Sequence, residues 1–319
     1  MSFYDLQING YAGADFNSDS LTEESLHRAC LALKNDGVEH ILATVITDSI
    51  DSMCQKMTRI NKFRSLDPVC EKMIAGFHIE GPFLNESSGY IGAHPPNHAI
   101  MSNIDDTKRL LDSAQGLTKL VTLAPERDPN YQVTSMLKEL DITVSAGHCN
   151  PTRDEMAGAI ENGLTMFTHL GNGCPMALDR HDNIIQRILE ISDRIWITFI
   201  ADGIHIPFHA LNNYLKIIPT ENAIAVTDSI SAAKMKPGKY TLGNWDILIE
   251  KDGVAMSPDR SHLIGSTLTA PKIIDNLKNH LNMDDAQIEQ IRKVVREEIY
   301  IQLVENWPKS SGPTTCDRC

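Results

Sequence analysis

Glu80 in HIEGPF, His148 in SAGHCNPT and His169 in FTHLGNG each stand where an apolar, β-branched run gives way to Gly, Pro or Asn. Such a change marks the end of a buried strand. Two imidazoles and a carboxylate gathered at strand ends form an N/N/O ligand set. That set suits Zn²⁺ or Fe²⁺ and leaves a coordination position open for water. A fourth run, AIAVTDSISA, ends in Asp228, a carboxylate free to move the proton of that water. Together these residue types imply a metal-dependent hydrolase.

Positioning them requires strands that converge. Eight strand-like segments occur: DLQIN (5–9), HILATVIT (40–47), MIAGFHIE (73–80), LVTLAPE (120–126), ITVSAGH (142–148), LTMFTHL (164–170), WITFIADGIH (196–205) and AIAVTDS (223–229). Most are continuously apolar, as strands buried on both faces should be. Between them lie amphipathic stretches such as LTEESLHRACLALKNDGV, NIDDTKRLLDSAQG, YQVTSMLKELD and RDEMAGAIENG, with helix-start or Gly-stop signals. Strand–helix alternation repeated eight times predicts an α/β fold, a (β/α)8 TIM-like barrel rather than an open sheet. The C-terminal face of such a barrel carries its active site. Glu80, Glu126, His148, His169, Asp202, His205 and Asp228 all fall at that end. One buried His or Asp alone is often only a hydrogen-bonded core group, but seven such groups would not all favour the same strand ends.

After the eighth strand, KYTLGNWDILIEKDGVAMS predicts an antiparallel hairpin over 239–256 with a Lys-Asp-Gly turn. GSTLTAPKIIDNLKNHL and MDDAQIEQIRKVVREEIYIQLVENW follow as helices that pack on the barrel. A single domain over 1–308 and a frayed tail over 309–319 are expected, the tail ending in the incidental thiols of CDRC. The length of 319 residues fits one barrel of roughly 250 residues with additions. A net charge of −13 without a basic stripe excludes nucleic acid as a partner. MSFYDLQING has no signal-peptide pattern, and no apolar run reaches membrane-spanning length. Seven cysteines without framework spacing fit free thiols in a reducing compartment, so a cytoplasmic location is expected.

The ordered motifs QINGYAGADF, HIEGPF, GAHPP, APE, GHCNPT, THLGNG, ADGIH, VTDSISA and GSTLT, over roughly residues 5–270, resemble the N-acetylglucosamine-6-phosphate deacetylase family of the amidohydrolase superfamily. The resemblance implies that Glu80, His148 and His169 hold the metal and that Asp228 is the catalytic acid/base. It further implies substrate contacts from His94, Asn172, Gly173, Arg180 and His205. Arg180 would bind phosphate across the interface of a homodimer. His205 or His94 would donate to the oxyanion of the tetrahedral intermediate.

Three features depart from the pattern. Gln7 and Asn9 occupy the slots of the His-x-His found in many amidohydrolases, and neutral amides are poor ligands, so one metal ion is favoured over two. The β-sandwich usual in the family is expected to be absent or reduced to the 239–256 hairpin. Gly171-Asn172-Gly173 replaces an aromatic-Asn-Ala, which should loosen the backbone near the phosphate. The expected substrate is an N-acetylated amino sugar phosphate. Another N-acylated amino sugar or biosynthetic intermediate is the alternative, and a catalytically silent binding relative a second. Cys149 and Cys174 read as buried or half-buried free thiols. Glu126, Asp15 and Asp202 stand between catalytic and network roles.

Overall fold

The computed structural model describes residues 3–243, 245–250, 253–260 and 263–293. Eight parallel strands follow one another in sequence order: β1 (Phe3–Ile8), β2 (Val38–Ile46), β3 (Ile74–Glu80), β4 (Thr118–Leu123), β5 (Thr143–Ala146), β6 (Leu164–Phe167), β7 (Trp196–Ile200) and β8 (Ala223–Val226). The ring closes just beyond β1 and β8. Ile8 bridges Ser229 in parallel register, Asn9 N–H donates to the Ser229 carbonyl at 2.8 Å, and Asp228 N–H donates to the Gln7 carbonyl at 3.0 Å. This is the expected (β/α)8 barrel, with Asp228 at its seam.

Most strands stop short of the expected ends, β4 at Leu123 rather than 126 and β7 at Ile200 rather than 205, and three of them stop just before a candidate site residue. β5, β6 and β8 finish at Ala146, Phe167 and Val226, two residues before His148, His169 and Asp228. Those three residues have φ of 50°, 37° and 50°, in the left-handed region. Such a backbone interrupts the regular strand and is costly for a residue with a Cβ.

The barrel interior is more polar than the apolar runs suggest. His78 Nε2 meets Thr122 Oγ1 at 2.7 Å, Thr122 Oγ1 meets Thr168 Oγ1 at 2.8 Å, and Ser145 Oγ meets Thr168 Oγ1 at 2.7 Å. Thr122 on β4 reaches past β5 to the residue following β6, so these hydroxyls meet inside the ring. Burial pushes the His78 imidazole down to about 4, so it serves as a neutral hydrogen-bonding group.

The outer helices are α1 (Glu23–Asn35), α2 (Ile50–Leu66), α3 (Pro68–Met73), α4 (Ile104–Ser113), α5 (Gln132–Glu139), α6 (Arg153–Glu161), α7 (Ile184–Glu190), α8 (Phe208–Ile217), α9 (Ala270–Asn279) and α10 (Asp285–Lys293). Side-chain caps fix several starts: Thr22 accepts from Ser25 N–H, and Thr152 and Glu155 form a reciprocal capping box. The helical expectation beyond residue 293 and the tail over 309–319 lie outside the described residues. Among the described residues no helix is long and apolar enough to cross a membrane.

The expected hairpin is a three-stranded antiparallel sheet, β9 (Gly238–Leu242), β10 (Trp245–Ile249) and β11 (Ala255–Met256). Its first turn falls between Leu242 and Trp245, where Gly243 has φ +54°, and Gly253, at φ +84°, lies in the second connection. Lys251 and Asp252 of the expected turn lie outside the described residues. Alternation alone could not choose between two Gly-containing turns. Leu242, Ile247, Ile249, Ala255 and Ile264 form a small core with Ile46 and Ile230, beside the end of the barrel that carries Thr47 and Asp228. The main core joins the strands to the surrounding helices.

Candidate active site

Glu80 is the last residue of β3 and is buried, paired in register with Ile46 on β2 and Thr122 on β4. Its Oε1 lies 3.0 Å from His169 Nε2 and 3.4 Å from His148 Nε2, and the two Nε2 atoms are 3.1 Å apart. Ligand atoms 2.0–2.2 Å from one tetrahedral ion stand roughly 3.3 Å from each other, so this triangle has the dimensions of a single-ion site. These three residues form a group able to hold a metal.

The hydrogen bonds outside the triangle fit the same reading. His148 Nδ1 lies 2.7 Å from the Tyr90 carbonyl, which can only accept, so His148 carries its proton on Nδ1 and presents the Nε2 lone pair inwards. His169 Nδ1 is buried without a partner among the described residues, while its backbone N–H is fixed by Thr198 Oγ1 at 2.7 Å. Burial alone would raise Glu80, but hydrogen bonds from His148 and His169 hold it well below the usual carboxylate range. Burial alone would lower His169, yet the Glu80 contact raises it. Glu80 is therefore an anion competing for a cation, and where no ion is bound a proton on His169 meets that demand.

Gln7 and Asn9, set apart in the sequence as poor ligands, are donors to the carboxylates. Gln7 Nε2 donates to both Glu80 oxygens at 3.2 Å, and Asn9 Nδ2 donates to Asp228 Oδ1 at 2.7 Å. Burial, then repulsion from Glu80, pushes Asp228 up to about 6, against the pull of His169, His205 and Asn9. Its turn is clamped by GSTLT: Ser266 N–H donates to the Asp228 carbonyl at 3.0 Å, and Ile230 N–H to the Ser266 carbonyl at 3.0 Å.

His94 is buried beside the triangle, its Nε2 3.9 Å from Glu80 Oε1. Thr47 Oγ1 donates to the Glu80 carbonyl at 3.2 Å, so it accepts from His94 Nδ1 at 2.9 Å. That bonding leaves a lone pair on His94 Nε2, and burial followed by repulsion from His148 holds the ring neutral, near 3. His205 Nδ1 lies 2.6 Å from Asp202 Oδ2, while Asp202 Oδ1 accepts the N–H groups of Ile204 and His205 at 2.8 Å. Burial alone would raise Asp202, but these bonds keep it below its ordinary value. Asp202 thus holds His205.

The loop after His169 is tighter than expected. Gly173 has φ +60°, and a Cβ there would meet His148 Nδ1 at 2.9 Å; Gly92, at φ +58°, faces the Cε1 of the same ring at 3.0 Å. The imidazole is packed against two glycines, so Gly173 permits close approach rather than looseness. Asn172 is folded back, its N–H and Nδ2 donating to the His169 carbonyl at 3.0 and 3.2 Å. Arg180 is exposed further along this loop.

Other groups resolve into supporting roles. Glu126 Oε1 accepts from Asn85 Nδ2 at 2.9 Å and Asn150 N–H at 2.5 Å, tying together the loops after β3, β4 and β5. Asp15 accepts the N–H groups of Asn17 at 2.8 Å and Gly243 at 2.7 Å, joining the loop after β1 to the small sheet. Burial pushes both the Cys149 and Cys174 thiols up, so neither is an activated nucleophile. Tyr90, Thr47 and Thr198 carry no distinctive motif of their own. Their roles arise from backbone or hydroxyl atoms brought in by the fold.

No family model matches the chain. The chain is 28% identical over 281 residues to an N-acetylglucosamine-6-phosphate deacetylase of Lysinibacillus sphaericus, covering 88% of this chain and 70% of that protein. It is 30% identical over 289 residues to an N-acetylgalactosamine-6-phosphate deacetylase of Shewanella sp., covering 88% and 68%. Across the first curated relatives it spans between 61% and 71% of their length. The structure of an N-acetyl-D-glucosamine-6-phosphate deacetylase mutant from Mycobacterium smegmatis, in complex with N-acetyl-D-glucosamine-6-phosphate, superposes with a TM-score of 0.82. It is 25% identical, with 94% of this chain and 76% of that one covered. A barrel with this ligand triangle, joined to sequence identity of this extent, places the chain in the N-acetylglucosamine-6-phosphate deacetylase family of metal-dependent amidohydrolases.

Proposed function

We propose that this chain removes the N-acetyl group of N-acetylglucosamine-6-phosphate, yielding glucosamine-6-phosphate and acetate, with one Zn²⁺ or Fe²⁺ held by Glu80, His148 and His169. The observation that carries this reading is the convergence of those three ligand atoms within 3.4 Å, next to a carboxylate pushed up to about 6. A divalent ion bound there supplies Lewis acidity, enough to bring the ionisation of water towards neutral pH. Asp228, held by Asn9 and the Ser266 clamp, takes the proton of the attacking water. It then returns that proton to the departing nitrogen, without which an amine is a poor leaving group. Of the two imidazoles expected to donate to the oxyanion, His205 is the one with an anionic partner, Asp202, to hold its Nδ1 proton while a doubly protonated ring donates from Nε2. His94 presents a lone pair, which supports a role as acceptor from a substrate hydroxyl.

The exposed Arg180 is proposed to reach a substrate phosphate in the partner subunit of a homodimer, through a bidentate contact that Lys reproduces poorly. Asn172 and Gly173 would line the adjoining wall. A cytoplasmic location is proposed from the free thiols of the five described cysteines. The Shewanella relative favours a second reading, in which the sugar is the galactosamine epimer.

Acetate release from N-acetylglucosamine-6-phosphate, N-acetylgalactosamine-6-phosphate and unphosphorylated N-acetylglucosamine separates these readings. The phosphorylated glucosamine derivative should be turned over far better than the free sugar, and Arg180→Ala should erase most of that preference while sparing metal content. Equal rates on phosphorylated and free sugar, or none on any of them with metal bound, would defeat the phosphosugar assignment.

A further inference from the structure

A second cluster of metal-binding side chains lies on the outside of the barrel. His27 and Cys30 are one helical turn apart on α1, and Asp67 and Cys70 stand at the same spacing at the start of α3. The two helices pack side by side. His27, Asp67 and Cys70 bring a nitrogen, an oxygen and a sulfur all within 4.8 Å of one another. The Cys30 thiol lies beside that of Cys70 and close enough to Asp67 to feel its charge. The N-cap bonds fix the carboxylate: Asp67 Oδ1 accepts from Val69 and Cys70 N–H at 2.8 and 3.4 Å, while Oδ2 turns to His27 Nδ1. Both sulfurs are fully buried, whereas the imidazole and carboxylate are partly exposed, which leaves a route in from solvent.

We propose that His27, Cys30, Asp67 and Cys70 form a second metal site, selective for Zn²⁺, that clips α1 to α3. The imidazole, carboxylate and Cys70 sulfur already stand together, and the adjacent Cys30 thiol would complete a four-ligand set of the kind structural zinc takes. Its place in the chain separates it from the chemistry. Asp67 and Cys70 precede the N-terminal end of β3, and Glu80 stands at the other end of that strand, roughly 20 Å away for seven residues. A cysteine ligates as its thiolate, so each sulfur that binds the ion must give up its proton. Taking up one Zn²⁺ as a dithiolate therefore releases two thiol protons to solvent, with no oxidation, and affinity rises with pH.

The test uses the full chain carrying Cys316→Ser and Cys319→Ser, so that the C-terminal pair cannot ligate. Reduced, chelator-stripped protein is titrated with Co²⁺. A thiolate-to-Co²⁺ charge-transfer absorption should saturate at one equivalent, be displaced by Zn²⁺, and persist in the His148→Ala/His169→Ala variant. Cys30→Ser and Cys70→Ser should abolish it. His27→Ala, at a partly exposed side chain that threatens the fold least, should weaken it at least tenfold while leaving deacetylation unchanged. No charge-transfer absorption, or a titration that Cys30→Ser, Cys70→Ser and His27→Ala all leave unaltered, would overturn the proposal.

Discussion

Gly173→Ala should weaken the metal centre by crowding one ligand while leaving all three in place. The new methyl group would stand 2.9 Å from His148 Nδ1, 3.1 Å from its Cγ and 3.2 Å from its Cα, where ordinary contact begins near 3.4 Å. Either the ring or the loop must therefore give by about 0.5 Å, and metal–ligand distances tolerate only about 0.2 Å. The Nδ1 bond to the Tyr90 carbonyl, which sets the tautomer, lies on the crowded side of the ring. Disturbing a bond of that kind typically costs 10–100-fold in metal affinity, or about 1.4–2.7 kcal/mol. The left-handed backbone at φ +60° adds about 1 kcal/mol of folding stability lost. Gly243→Ala is the control, since φ is +54° there and the nearest atom to its methyl group is 3.6 Å away. Chelator competition for the ion that His169→Ala abolishes should show Gly173→Ala weakened at least tenfold and Gly243→Ala unchanged. Urea unfolding should show both variants destabilised. Metal binding by Gly173→Ala within twofold of the parent, or an equal loss in Gly243→Ala, would refute the argument.

Two further outcomes follow from the buried carboxylates. Burial pushes Asp5 from 3.8 up to about 7, despite N–H bonds from Gln7 and Thr227, so between those values the folded chain binds a proton that the unfolded chain does not. That contribution to stability is full below about 4 and is lost as pH rises through about 7, a few kcal/mol in all. Asp5→Asn should flatten the fall in urea midpoint between about pH 4 and 7, and parallel profiles would count against the assignment. Asp202→Asn removes the anion that holds His205, and should lower kcat/KM by roughly 10–100-fold without changing metal content, judging from comparable supporting bonds. Unaltered kinetics would show that His205 needs no such support.

What could be read from the chain beforehand depended on whether the cause was local. The eight strands were visible because most of their residues are buried and turn residues bound them, as HILATVIT and AIAVTDS illustrate. The left-handed backbone at His148, His169 and Asp228 was hidden, since no Gly or Asn at those positions signals it. Gln7 and Asn9 were legible only as amides where ligands were expected. Their work as donors needs strand register, from β1 past β2 to Glu80 and across the barrel seam to Asp228. The packing of Gly173 onto His148 joins residues from two loops, so its sequence context suggested looseness where the fold requires contact. His94 could be placed in the site by its motif, but its acceptor role rests on the Thr47 hydroxyl of the neighbouring strand-end loop.

Asp228→Asn tests the central claim most directly, namely that one carboxylate at the barrel seam moves the proton beside an ion held by Glu80, His148 and His169. The amide keeps the size and the contact with Asn9 but cannot carry a proton. The variant should fold, should retain the ion that His169→Ala loses, and should release acetate from N-acetylglucosamine-6-phosphate roughly 10³-fold more slowly or worse. A variant with full metal content and a rate within tenfold of the parent would contradict the account and move the base to another residue.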